Sequence, residues 1–469
     1  MRIERFEVPG LAHYSYMIIS SGCAAVVDPR RDIDIYVDYA AARDLKITHV
    51  LETHIHADYA SGASELAQDT GAEAWLSGHD QGEDFQYRFP HRDFRDGEEL
   101  DLGEARIVAM HTPGHTPEHL SFLVYEQGRA HPLALLSGDF VFVGSLGRPD
   151  LLGEAAKHRL AAELYQSVHE RLKHLPDGVQ ILPAHGAGSL CGAGMGERPF
   201  TTLGYERASN LFFGMRSREE FIDHILRTVP PFPEYYKRMK RVNSEGAPRL
   251  GGIPDGGALA PEDFEALIER KNAVVIDLRR PEAFGGAHIP GAFSIGGDQN
   301  LSMWAAWVVP YDTSILLVGE ENSDCEPARR SLIRVGLDEI RGYLRGGMRS
   351  WILDGYPQEH VPQVSVYELA EKMRAGAAWV LDVRSMGEWK SAHIQGATHI
   401  MAGELPQKLD RVPRDRDLYI ICGSGYRSSV ASSILRRAGC AGVSNVVGGM
   451  TAWTRAGLPV VSEQAACAA

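Results

Sequence analysis

The 469-residue chain is acidic, with a formal charge of −14, and of ordinary globular composition, with 44% hydrophobic and 23% charged residues. Its acidity excludes general nucleic-acid binding, which needs a basic footprint, and its length suits about three domains at roughly 150 residues each. No apolar run approaches the roughly 20 residues that span a bilayer, and residues 1–7 mix charge through what would be a signal peptide's apolar region, so the expectation is a cytoplasmic protein with no membrane segment. Cys23, Cys191, Cys325, Cys422, Cys440 and Cys467 are too scattered for a disulfide framework and read as free thiols.

In chain order, residues 16–28 read as a hairpin turning at Ser21-Gly22, with Cys23 a small buried residue inside it. Residues 47–53 form a β-branched strand that runs into Thr53-His54-Ile55-His56-Ala57-Asp58-Tyr59, and a helix starts near Ser61. Two histidines and a carboxylate at alternate positions on the loop leaving a strand suit a divalent metal better than a core. A short strand near 74–76 and a charged loop over 79–96, the natural rim of a pocket, come next. His115 then sits on the turn Thr112-Pro113-Gly114-His115-Thr116, Asp139 ends the apolar strand over 133–139, and His185 ends another over 180–185. Four such punctuated sites in one order point to a metal centre. Residues 154–173 form an amphipathic helix. Residues 186–192 form a glycine loop placing Cys191 just after His185, as a redox thiol or an idle one. The basic, aromatic run over 235–241 reads as a solvated helix face closing the first domain. Residues 246–257 are a glycine- and proline-rich linker.

This motif series resembles the metallo-β-lactamase superfamily, over about residues 1–245. The resemblance implies a sandwich of two sheets between helices, with one or two metals between the sheets. At Tyr59 the sequence departs from the dinuclear hydrolases of the superfamily, such as glyoxalase II, which place a metal-binding histidine there. A phenol with a pKa of about 10 is a poor ligand for a divalent ion, so one metal is expected.

The second half is an internal repeat. Residues 273–279 recur as 378–384, 287–292 as 392–397, and 346–351 as 448–453. Both copies, 258–357 and 363–464, resemble rhodanese domains, small α/β modules with a parallel sheet. In the second, a buried strand delivers Cys422-Gly423-Ser424-Gly425-Tyr426-Arg427-Ser428 to the start of a helix. Backbone N–H groups, the helix's positive end and Arg427 there favour a thiolate or persulfide. In the first copy Gly319 falls opposite Cys422 and carboxylates surround the loop. That copy is expected to be silent, with Cys325 on the first turn of its helix and away from the loop's base.

Within the superfamily, the branch with one metal and fused rhodanese modules is the persulfide dioxygenases. The resemblance implies one Fe(II) per chain held by His54, His115 and Asp139, the two-histidine, one-carboxylate set of non-haem iron oxygenases. It leaves His56, Asp58 and His185 to orient those ligands or, in a hydrolase, to bind metal themselves. Arg148 and Tyr59 are assigned to substrate binding: Arg148 resembles the arginine that holds the thiol carrier's carboxylate, the plain alternative being an ion pair with Asp150. The expected activity is oxidation of a low-molecular-weight thiol persulfide by O2 to sulfite, with Cys422 exchanging sulfane sulfur among persulfide, sulfite and thiosulfate. The expected assembly is a homo-oligomer. The alternative is a Zn(II)-dependent thioester hydrolase of glyoxalase II type with a sulfur-carrier tail.

Overall fold

The computed structural model describes residues 1–271 and 273–462, so Cys467 lies outside the described residues. The chain forms two compact units, the first comprising Met1–Ile253 with Ile333–Gly336 and the second holding both copies of the repeat.

In the first unit the strands Arg2–Val8, His13–Ser20, Cys23–Val27, Lys46–Leu51, Glu73–Ser77 and Arg92–Phe94 lie side by side in chain order. A second sheet runs Thr201–Thr202, Gln180–Pro183, Ala134–Gly138, Leu120–Glu126, Ala105–His111, Glu99–Leu102. Strand alternation makes the layers. Tyr14, Tyr16 and Ile18 face the other sheet and pack with its Ile107, Phe122 and Leu136, whereas Met17 between them packs with Tyr36, Ala40 and Leu66 of the helices Asp34–Ala41 and Ala63–Thr70. On the second sheet's outer face Met110, Leu123 and Leu135 cluster with Leu164, Phe221 and Ile225 of the helices Lys157–Gln166 and Arg218–Thr228. The order is therefore helix, sheet, sheet, helix.

The hairpin turns where expected, with Ser21 and Gly22 at φ of 50° and 78°. Three expectations need correction. Cys23, at the end of its strand beside that turn, is only half-buried. The helix expected over 154–173 is regular only over Lys157–Gln166 and widens to a π turn over Ser167–Arg171. The basic run is not a solvated face: in the helix Tyr235–Glu245 the side chains of Tyr236, Met239, Lys240 and Asn243 are all buried. Among the described residues no helix is long and apolar enough to cross a membrane.

In the second unit each copy has a five-stranded parallel sheet. The orders are Ala258–Leu259, Ile340–Leu344, Ile315–Val318, Val274–Asp277, Phe293–Ser294 and Gln363–Val364, Val443–Val446, Leu418–Ile421, Trp379–Asp382, Thr398–His399. The copies repeat down to single contacts: Arg279 is bidentate on Asp277 and Arg384 on Asp382, each closing at 2.6 Å. Asp277 pairs in register with Val318, and Asp382 with Ile421, which puts Gly319 and Cys422 at the same place in the two sheets. The copies also touch. Ser294 Oγ lies 2.7 Å from Ser429 Oγ, Tyr426 donates to the Gly296 carbonyl at 3.3 Å, and Gly403 is so close to the Trp307 ring that a Cβ there would collide with it.

Candidate metal centre and sulfur-transfer loop

The strand Lys46–Leu51 ends just before Glu52, and the loop that follows is held from several sides. Asp28, at φ 52° past the end of the neighbouring strand, accepts from Thr53 N at 2.7 Å and Thr53 Oγ1 at 3.0 Å, and lies 3.1 Å from His56 Nε2. Glu118 accepts from Ile55 N at 2.9 Å. The helix Tyr235–Glu245 returns to the same loop: Lys240 Nζ donates to the Ile55 carbonyl at 2.9 Å, and Asn243 donates to the carbonyls of His56 and Tyr59 and accepts from Ser61 N. Every residue of 52–61 is buried. Asp28, Glu118, Lys240 and Asn243 were not singled out from sequence; the signal for the helix was the buried set Tyr236, Met239, Lys240, Asn243 at i, i+3, i+4, i+7.

Three side chains from three different loops converge. His54 has Nδ1 3.0 Å from Thr53 Oγ1, His115 has Nδ1 2.9 Å from the Arg148 carbonyl, and Asp139 has Oδ1 2.7 Å from His185 Nδ1. Each therefore has one polar atom engaged and the other, His54 Nε2, His115 Nε2 and Asp139 Oδ2, buried without a partner. Those atoms lie within 4.8 Å of one another, with Asp139 Oδ2 3.8 Å from His54 Nε2 and 3.4 Å from His115 Nε2. Three unsatisfied buried atoms in one spot would cost about 1–3 kcal/mol each if nothing filled the space between them, and a divalent cation fits all three. Burial, with neighbouring histidines and Lys240, holds His54 and His115 well below the ordinary histidine range, so both are neutral imidazoles as a metal requires. Gly147 closes the site: a Cβ there would collide with the Asp139 carbonyl and come within 2.9 Å of His115 Nδ1. His119, also missed from sequence, stacks on His54 at 5.1 Å and accepts from Asp139 N at 3.1 Å.

The other candidates are distributed around this trio. His56 turns Nε2 to Asp28 and leaves Nδ1 without a partner. Burial opposes its charge, but Asp28 outweighs it and raises its pKa. Tyr59 is fully buried and its hydroxyl donates to the Asp28 carbonyl at 3.2 Å; burial pushes its pKa well up, which removes it further from metal binding. His185 Nε2 lies 2.8 Å from Asp58 Oδ2 without hydrogen-bond alignment, and Asp58 Oδ1 has no partner. The thiol of Cys191 joins these two, all three donors lying within 4.8 Å of one another. Cys191 is thus not on an open glycine loop. It is 1% exposed, its carbonyl accepts from Arg148 N at 2.8 Å, and burial followed by Asp58 and Asp139 pushes its thiol pKa well up.

Arg148 departs from the expected role. Its guanidinium is buried and engaged: Nε and Nη2 take Asp150 at 2.6 and 2.8 Å, Nη1 takes the Leu190 carbonyl at 3.0 Å, and Nη2 the Pro230 carbonyl at 2.9 Å. It ties three segments together around the site and presents no free fork to a carboxylate. The carbonyls that saturate it lie more than 40 residues away in sequence, which is why the segment 144–150 alone could not disclose this.

In the second unit Cys422 is buried at the end of the strand Leu418–Ile421, and its sulfur accepts from Gly425 N at 3.1 Å and lies 3.3 Å from Ser428 Oγ. The helix Tyr426–Arg437 starts at once, so the sulfur faces its positive end. Gly449, at φ 53°, lies so close that a Cβ would collide with the Cys422 carbonyl. Arg427 is at the loop but bidentate on Glu388, at 2.6 and 2.7 Å. Burial works against the Glu388 charge, yet Arg427 and Ser385 hold its pKa at about 2. In the first copy the helix begins only at Glu326, and Cys325, at φ 58° ahead of it, is buried. Its sulfur would stand 2.9 Å from a Cβ added at Gly319. The thiol expected on a helix turn away from the base therefore reaches the base of the loop, because the helix has lost its opening turn.

These arrangements match known families. Residues 8–185 match the metallo-β-lactamase superfamily, and residues 260–354 and 365–456 each match the rhodanese-like domain. A metallo-β-lactamase from Staphylococcus aureus, solved as a crystal structure, superposes with a TM-score of 0.66 at 34% identity, covering 74% of this chain and 99% of that one. ETHE1 from Myxococcus xanthus superposes at 26% identity and a TM-score of 0.45, covering 52% of this chain and 98% of its own. Hydroxyacylglutathione hydrolase GloC of Haemophilus influenzae is 29% identical over 213 residues, 41% of this chain and 89% of its own. The sandwich with its converging histidines makes this chain a member of the metallo-β-lactamase superfamily, with two rhodanese-like domains, each with a parallel sheet, following that domain in the sequence.

Proposed function

We propose that the chain is a persulfide dioxygenase with a built-in sulfurtransferase. In this reading His54, His115 and Asp139 hold one Fe(II), which when bound supplies the redox chemistry that joins dioxygen to a persulfide sulfur. One thiol persulfide, one dioxygen and one water give one thiol and one sulfite. The chain's residues orient and enclose: Thr53, the Arg148 carbonyl and His185 fix the three ligands, and the complete burial of the loop excludes bulk water. At the second centre the Cys422 thiolate attacks the outer sulfur of thiosulfate, the S–S bond breaks, sulfite leaves with the electron pair, and a cysteine persulfide remains. The reverse returns the sulfur to sulfite. The partners are then small molecules, and the role is sulfide detoxification by a cytoplasmic homo-oligomer.

The observation that carries this reading is Tyr59, locked to the Asp28 carbonyl where a second metal would need a ligand, beside a self-sufficient set of three unpartnered donors. A second reading is favoured by Asp58, His185 and Cys191, whose donors are close enough to hold another ion, and by the likeness to a hydroxyacylglutathione hydrolase. It is a dinuclear zinc thioester hydrolase. Metal content after anaerobic purification, with oxygen uptake on adding a persulfide, separates the two. One iron per chain with uptake supports the first, and two zinc ions with thioester cleavage and no uptake replaces it with the second.

A further inference from the structure

The substrate and product of the proposed reaction are anions, the chain is strongly acidic, and Arg148 is saturated. Beside the proposed metal ligands the structure sets another basic side chain. Among the described residues Lys240 is the buried lysine, 2% exposed, and its ammonium reaches the backbone between His54 and His56. Its one hydrogen bond is to the Ile55 carbonyl at 2.9 Å, and the Phe85 ring lies 5.5 Å from the ammonium, which leaves N–H donors of the three to spare. A neutral donor would suffice to tie a helix to a carbonyl, whereas a buried ammonium costs several kcal/mol in desolvation unless a negative charge answers it. Burial lowers the Lys240 pKa and Glu118 answers it only in part, because that carboxylate also accepts from Ile55 N. A part-compensated ammonium one residue from a proposed metal ligand attracts an anion.

We infer that Lys240 is the anion-recognition residue of the metal centre, its spare N–H groups taking a charged oxygen or sulfur of the ligand as it meets the metal ligands. The identity of that ligand as persulfide and sulfite rests on the proposed function, but the need for an anion does not, since a carboxylate product of thioester cleavage would be received the same way.

The test is sulfite binding to the full metal-loaded chain, read by calorimetry, with metal content measured on each sample. Lys240→Gln keeps a donor for the Ile55 carbonyl and removes the charge, and Lys240→Met removes both. Each should weaken sulfite binding by about tenfold or more, the weight of a charge-assisted hydrogen bond, with metal content unchanged. Lys240→Arg should recover most of it. Unchanged sulfite affinity in the Gln and Met variants, accompanied only by a lower melting temperature, would make Lys240 a tie and overturn the inference. Were both neutral variants to lose their metal, the zinc-substituted chain labelled with nitrogen-15 at lysine decides: the buried amine signal must shift with sulfite, and a signal that stays in place is equally fatal. Neither result depends on which metal or reaction is native, so a hydrolase could still pass this test and a dioxygenase could still fail it.

Discussion

Nδ1 of His185 lies 2.7 Å from Oδ1 of Asp139, and Oδ2 of the same carboxylate has no partner. The histidine fixes the carboxylate's plane and so decides where the free oxygen points. His115→Ala and Asp139→Ala should each abolish metal binding. His185→Ala, acting through Asp139, should weaken it by about 10–100-fold, and His56→Ala should retain part of the metal. Metal content after dialysis against a graded chelator checks the order, and a His185 variant as empty as the Asp139 variant would place His185 among the ligands.

Arg148 should now behave as a clamp. Arg148→Ala strands the carboxylate of Asp150 and the carbonyls of Leu190, Pro230 and Pro231, and should destabilise the first unit by about 3–5 kcal/mol, as breaking a buried pair does. Denaturant unfolding measures this. A raised KM for persulfide with unchanged stability would return Arg148 to substrate binding.

Cys422→Ser should stop thiosulfate formation and breakdown, because a serine hydroxyl is no nucleophile for sulfane sulfur at neutral pH. Oxygen uptake should continue, with sulfite accumulating. Loss of oxygen uptake in this variant would mean that the persulfide oxidised is the one carried on Cys422.

The Glu388–Arg427 pair sets an acid limit on the second unit. Glu388 has its pKa lowered from an ordinary 4.5 to about 2. A carboxyl with a lower pKa folded than unfolded contributes its stability above the unfolded value and loses it as pH falls through the folded one. Thermal melts should therefore show Glu388→Gln below the unaltered protein at neutral pH, with the gap closing between about pH 4.5 and 2. A gap independent of pH would assign the loss to packing.

Gly403 tests whether the two repeats fold as one body. A methyl there would collide with the Trp307 ring of the other copy, so Gly403→Ala should cost about 1–3 kcal/mol by overpacking. If the copies unfold together, calorimetry will show the transition of both shifting. A shift confined to one copy would make their contact incidental.

Much of this was legible in the sequence because it is written locally. His54, His115, Asp139 and His185 each follow an apolar strand or sit on a proline-glycine turn, and the repeat announces itself by identical tripeptides. What stayed hidden depends on distant partners. Arg148 looked free because Leu190 and Pro230 lie far along the chain, and Lys240 looked solvated because two of its four nearest neighbours in sequence, Arg238 and Arg241, are basic while its own face turns inward. Cys325 was placed by counting along an aligned helix, and the count could not know that the helix starts late.

The return of the helix Tyr235–Glu245 to the histidine loop has a consequence for synthesis. A nascent chain that has reached His185 already contains all the proposed metal ligands, but the donors that hold the carbonyls of Ile55, His56 and Tyr59 come from Lys240 and Asn243, more than 180 residues beyond that loop. At about 5–20 residues per second that is a delay of roughly ten to forty seconds during which the loop must stay ungripped. The hold on the loop therefore comes only after every proposed metal ligand has been made.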